Sequence, residues 1–291
     1  MHKFYKSKIT HNMVAFIDIL GFSERALGLE KESDLRRLDA DVAMVQVEFE
    51  HRPVHKSPNN VHTSLRKEVL AFSDCILVSI AGESPQAHLQ GTFDLWLSEL
   101  WFIAIAQWNC VCKRIFLRGG VDLGLWYRSG SRLISPAMVE AYRLEHNVHV
   151  PVIAITDNLY EFFEKSEDRF CYADTNEPLS IFREHVDPET KKKYKFLDYL
   201  SVAISAIDWM KDDNTLQEYK NTPIDMRSLV VTEGWTANVN EALRHHRRLI
   251  LDAYNNAVNE NIRAKYKWLA EYQNDVIEGY GDLFRECSVS L

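Results

Sequence analysis

The apolar run Met13-Val14-Ala15-Phe16-Ile17 ends on Asp18 and resumes with Ile19-Leu20-Gly21-Phe22, a pattern that predicts a central strand feeding a helix through a glycine. Helical spacing then runs from Ser23 to about Glu50, with a break near Gly28 and a capping candidate at Ser33. His51 to Ser64 carries Pro53, Pro58 and Asn59-Asn60 and reads as a solvated loop. Residues 68–80 predict two strands around a tight turn at Ser73-Asp74. A long helix follows from about Gln86 to Asn109, then the strand Ile115 to Gly124, whose three glycines predict close backbone approach. Pro136 to Glu145 predicts a helix with proline in its first turn. Val150 to Ile155 predicts another strand, and Thr156-Asp157-Asn158 the cap of the next helix.

From Phe196 onward the pattern turns helical, most plainly over Ala237–Tyr280, where Leu243, Ile250, Tyr254 and Val258 recur on one face. The expected organisation is an α/β (α+β) domain over residues 1–186 and a helical C-terminal extension over 187–291 packed on that core. The charged stretch Asp187-Pro188-Glu189-Thr190-Lys191-Lys192-Lys193 is the expected junction. There is no internal repeat.

The chain has 291 residues, 46% of them hydrophobic, enough for a full core. A formal net charge of -8 argues against a broad nucleic-acid surface, while a local basic pocket for a small phosphorylated ligand stays open. Five cysteines without a regular framework fit thiols kept reduced in a cytosol, and Cys110-x-Cys112 has the wrong spacing for a zinc knuckle. The charged N-terminus leads into no apolar segment of the kind a secretion signal requires, so the expectation is a cytoplasmic protein that begins as the mature chain. The most apolar stretch, Leu95 to Cys112, contains Glu99, Gln107 and Asn109 and reads as a buried helix rather than a membrane insertion.

The chemistry concentrates at two acids. A carboxylate flanked by buried strand residues requires a partner charge, a metal or a dense set of donors. Asp18 at a strand end and Asp74 at the tip of an adjacent hairpin can converge on two hard divalent cations, Mn2+ or Mg2+, which is a polyphosphate site. The backbone amides of Ile19, Leu20, Gly21 and Phe22 would then face the phosphates. The structural alternative is that Asp18 caps the following helix and Asp74 merely occupies a turn. Arg118 reads equally as a phosphate contact or a solvated edge residue; Glu140 and Glu145 read as partners of Arg143. His146-x-x-His149 has metal spacing but falls where its helix ends. His245-His246-Arg247-Arg248 reads as a solvated cationic stripe, and Tyr266, Trp268 and Tyr272 as packing.

Four blocks, Ala15 to Ser23, Phe72-Ser73-Asp74, Leu117 to Gly124 and Pro136 to Leu144, come in the order found in class III nucleotidyl cyclase catalytic domains, which residues 10–175 resemble. Within that superfamily the chain looks most like the pyrimidine cyclases of the bacterial Pycsar antiphage system. The resemblance implies a ferredoxin-like core acting as a head-to-tail homodimer with composite sites. It makes Asp18, Asp74 and the carbonyl of Ile19 the metal ligands, and Arg143 the arginine that stabilises the pentavalent phosphate. Phe16, Leu20, Gly21 and Phe22 fall at the phosphate and nucleotide contacts, and Leu70 and Phe72 at the base pocket. The implied substrate is UTP, with CTP next, and the implied product a second messenger for a separate effector. Two departures stand out: Val139 replaces an asparagine that places the ribose, and Leu70 replaces the lysine that reads adenine.

Overall fold

The computed structural model describes residues 9–50, 65–187 and 190–291. The chain divides into two compact units, Met1–Tyr199 and Leu200–Leu291.

In the first unit, strand β1 (Thr10–Ile19) leads through helices α1 (Phe22–Leu27) and α2 (Glu32–Glu50) to the hairpin β2 (Lys67–Phe72) and β3 (Cys75–Ala81). Helices α3 (Pro85–Gln90) and α4 (Thr92–Cys112) then lead to β4 (Leu117–Ser129). These four strands lie in the order β2-β3-β1-β4, with every neighbouring pair antiparallel. That βαββαβ order with a 4-1-3-2 sheet is the expected ferredoxin-like arrangement, and the fold class is mixed α/β. Beyond it come β5 (Arg132–Ile134), α5 (Pro136–Asn147), β6 (Ile153–Ile155), α6 (Asp157–Lys165) and the hairpin β7 (Phe182–Val186) and β8 (Lys193–Leu197). They extend the sheet past β4 as β6-β8-β7, with β6 parallel to β4.

Strand alternation sorts the sheet into two faces. Register puts Met13, Ile80 and Lys67 on one face, where Lys67 Nζ pairs with the buried Glu99 of α4 at 3.0 Å. The opposite face carries Val14, Phe16, Leu77 and Trp126 packed against Ala137 and Ala141 of α5. The close approach expected of the β4 glycines is real: a Cβ on Gly120 would stand 2.1 Å from the carbonyl oxygen of Ala141. Only a residue without a side chain lets α5 sit that near the sheet.

Several expectations change. The long helix over 86–109 is two helices, because Gly91 adopts φ 86°; Ser84 caps the first by accepting from Ala87 N at 3.1 Å. Ser33 lies within the first turn of α2 rather than capping it. Of the expected junction at 187–193, Asp187 N donates to Lys192 O at 2.9 Å and Lys193 opens β8, so the described residues there belong to the β7-β8 hairpin and the first unit extends through β8 to Tyr199; Pro188 and Glu189 lie outside the described residues. The segment His51–Ser64 lies outside the described residues. By length and composition α4 is apolar enough to cross a membrane, more so than its sequence suggested. Its buried residues include Glu99 and Gln107, which suits a core helix.

The second unit is helical: the end of α7 (Tyr199–Ala206), then α8 (Asp213–Asn221), α9 (Arg227–Asn255) and α10 (Glu260–Glu278). Leu243 and Ile250 are buried on α9, as their spacing predicts, but Val258 lies past the helix end and is 82% exposed. Within this unit His246 Nδ1 meets Gln273 Oε1 at 2.7 Å, and Gln273 Nε2 donates to Leu243 O and Cys287 O. His246 is thus a buried hydrogen-bonded residue, not part of a solvated stripe. Trp268 and Tyr272 stack at 5.3 Å, and the Tyr272 hydroxyl accepts from Leu200 N at 3.0 Å.

Candidate metal centre

Asp18 sits one residue from the end of β1, on the face that carries Phe16. In register it lies directly opposite Cys75 on β3 and Arg118 on β4. Opposed side chains share a face and stand about 5 Å apart at Cβ, so Cys75, Asp18 and Arg118 form one row across three strands. Asp74 joins the row from the β2-β3 turn, where Ser73 takes φ 57° and the Asp74 carbonyl accepts from Ile19 N at 3.1 Å. Asp18 and Asp74 carboxylate oxygens and Cys75 Sγ lie within 4.8 Å of one another. The thiol also donates to Asp74 Oδ1 at 3.6 Å.

The electrostatics are those of a site short of positive charge. Burial raises the Asp18 carboxyl to about 7, with repulsion from Glu145 and Asp74 adding to it and Arg118 only partly opposing. Burial, then Asp74 and Asp18, push the Cys75 thiol up to about 12. Two convergent carboxylates, one of them held against ionisation by burial and neighbouring acids, are a donor set that a hard divalent cation satisfies. The residues therefore fit the group that the sequence implied, with Cys75 as an added soft donor that sequence reasoning missed. Its signal was present: it follows Asp74 directly and opens the strand that pairs with β1.

Other expected contacts are placed differently. Ile19 N is taken up by Asp74 O and Leu20 N donates to Phe116 O at 3.0 Å, so neither amide is available to a phosphate. Gly21, at φ 76°, turns the chain into the six-residue α1, leaving Gly21 and Phe22 at its open end. Phe16, Leu70 and Phe72 share the face of Asp18; the Phe16 ring meets Phe72 at 6.5 Å and Tyr142 at 5.3 Å, both edge-on. Arg143 is 65% exposed and pairs with Glu140 at 2.6 Å. Glu145 does not join them. It is buried against Arg118, whose Nη2 also reaches Asp18 Oδ2 at 3.4 Å. Arg118 is therefore an interior residue of the site rather than a solvated edge residue. Among the described residues His146 and His149 join no metal-ligand cluster; the His146 ring stacks on Tyr142. All five cysteines are free thiols.

No protein-family model and no curated protein matches the chain. Solved structures similar to it include a bacterial light-regulated adenylyl cyclase, at 15% identity and TM-score 0.38, over 67% of this chain and 95% of that one. The guanylyl cyclase domain of a RhoGC fusion protein from the aquatic fungus Blastocladiella emersonii is similar at 14% identity and TM-score 0.41, over 66% and 96%. A class III adenylyl cyclase-like ATP-binding protein from Pseudomonas aeruginosa is similar at 13% identity and TM-score 0.37, over 53% and 35%.

Proposed function

We propose that the protein is a metal-dependent nucleotidyl cyclase that converts a pyrimidine nucleoside triphosphate, UTP before CTP, to its 3′,5′-cyclic monophosphate and pyrophosphate. The observation that carries this reading is the convergence of Asp18 and Asp74 within 4.8 Å at the strand ends of a ferredoxin-like sheet. The ribose 3′-hydroxyl oxygen bonds to the α-phosphorus, the bond to the bridging oxygen breaks, and the hydroxyl proton passes to solvent. Asp18, Asp74 and the Ile19 carbonyl would hold divalent cations, which when bound would supply positive charge to lower the hydroxyl's pKa and offset the triphosphate. Gly21 and Phe22 receive phosphate oxygens on the amides left at the open end of α1.

The base lies against Phe16, Leu70 and Phe72. Leu70 packs on the apolar cluster of Phe16 and Leu77 and offers no hydrogen-bond donor, which favours a base other than adenine. Arg143, exposed on α5, acts on the developing phosphate charge in the site of a second copy of the chain. The half-exposed Phe72, Val139 and Tyr142 supply apolar area for that head-to-tail homodimer. The product acts as a second messenger in antiphage defence on a separate effector.

The test is incubation of purified protein with each of the four nucleoside triphosphates and Mn2+, with the products identified. Cyclic UMP or cyclic CMP is the expected product. Purine-only turnover removes the pyrimidine assignment, and no turnover with any nucleotide makes the chain a silent nucleotide-binding module.

A further inference from the structure

Behind the two aspartates lies a charge arrangement that the proposed reaction does not use. Arg118 stands opposite Asp18 across the β1-β4 pair, close enough to neutralise it. Yet its Nη2 is 3.4 Å from Asp18 Oδ2 and in much tighter contact with Glu145 Oε1. Nη1 donates to Val148 O at 3.4 Å, so the guanidinium is drawn toward the C-terminal end of α5. Glu145 is only 5% exposed, in the last turn of a helix pressed onto the sheet at Gly120. A guanidinium and a divalent cation compete for the same carboxylate oxygens, and a fully paired Asp18 would be a poor metal ligand.

We infer that Glu145 is a positioning residue for the metal centre: it holds Arg118 back from Asp18, so that the guanidinium orients this carboxylate without consuming the charge a divalent cation needs. The inference rests on Asp18 and Asp74 being metal ligands. Geometry supports the assignment, since Asp18 and Glu145 both pair with the one Arg118 guanidinium while Asp74 lies beside Asp18 on its other side, toward Cys75. In the absence of Glu145 the Arg118 head would swing to its remaining close acid, Asp18.

Mn2+ binding, read from the loss of the free-ion signal in electron paramagnetic resonance, tests this without substrate. Wild type is expected to bind Mn2+ and Asp18→Asn to lose it; failure of either removes the metal reading itself and this inference with it. With those controls in place, Glu145→Gln is expected to weaken Mn2+ binding tenfold or more, and the double variant Arg118→Gln/Glu145→Gln to recover most of the loss because no guanidinium remains to compete. A Glu145→Gln affinity within twofold of wild type, or a double variant as weak as the single one, overturns the inference. Arg118→Gln alone supplies an independent reading should Glu145→Gln not fold: several-fold tighter Mn2+ binding supports the competition, and weaker binding overturns it.

Discussion

Gly120→Ala tests how the sheet and α5 build the site. Gly120 pairs with Phe16 across β1-β4, on the face that α5 covers. The added methyl would stand 2.1 Å from the Ala141 carbonyl oxygen, 2.9 Å from its carbon and 3.1 Å from its Cα. All three are backbone atoms, so no rotamer change relieves the clash. Restoring ordinary contact at 3.4 Å requires α5 to retreat by about 1.3 Å. Overpacking of this kind costs about 1–3 kcal/mol. The functional loss should be larger in proportion, because α5 carries Arg143 and Glu145, and a misplacement of about 1 Å can cost roughly 100-fold in turnover. Gly124→Ala is the matched control: its methyl would meet the Ala137 Cβ at 3.2 Å, a contact that a few tenths of an ångström relieves. Urea denaturation and cyclase turnover of the two variants give the comparison. If Gly120→Ala is as stable and as active as Gly124→Ala, the close approach of α5 does not set the site.

Three further outcomes are expected of the site and of the helical unit. Asp18→Asn and Asp74→Asn should each abolish turnover while the metal-free Asp18→Asn protein melts no lower than wild type, since burial and neighbouring acids disfavour the ionised Asp18; a clear drop in melting temperature argues for a structural Asp18. Cys75→Ser should weaken binding of the thiophilic ion Cd2+ tenfold or more by calorimetry and leave Mn2+ binding unchanged, and equal Cd2+ affinity removes Cys75 from the donor set. Burial lowers His246 from 6.5 to about 4, so between those values the unfolded chain binds a proton that the folded one refuses; its contribution is complete above pH 6.5 and lost as pH falls toward 4, about 3 kcal/mol at most. Denaturation curves across that range should show this slope in wild type and lose it in His246→Phe.

The elements that reading along the chain located best are those whose signals are local. The apolar run into Asp18 gave β1, the alternation around Ser73-Asp74 gave the hairpin, and Pro136 behind Ser135 marked the start of α5. Ser135 and Thr156 cap the next helices by accepting from Met138 N and Leu159 N, the geometry that such residues favour before a helix. The failures have an equally definite cause. Gly91 interrupts a helical apolar pattern without disturbing its periodicity, so the break between α3 and α4 was invisible. The lysine-rich run near residue 190 has the composition of a linker, yet Lys191 at φ 58° serves a hairpin turn that keeps β8 in the sheet.

The partners of Asp18 were hidden for a different reason. Arg118 is 100 residues away along the chain, and nothing local to it says which strand residue it will oppose or on which face. Register decides both, and a slip of one residue between β1 and β4 would send Arg118 to the face that holds α4. That register is pinned from both sides: Leu20 N bonds Phe116 O at the strand end, and Gly120 opposite Phe16 leaves room for α5 only at this position. The same glycine that admits the helix thereby brings Glu145 down onto Arg118, the residue that stands opposite Asp18. Packing of α5 and the electrostatics of the carboxylate pair are therefore one constraint, and a substitution that relaxes the first without touching any acid should still weaken metal binding.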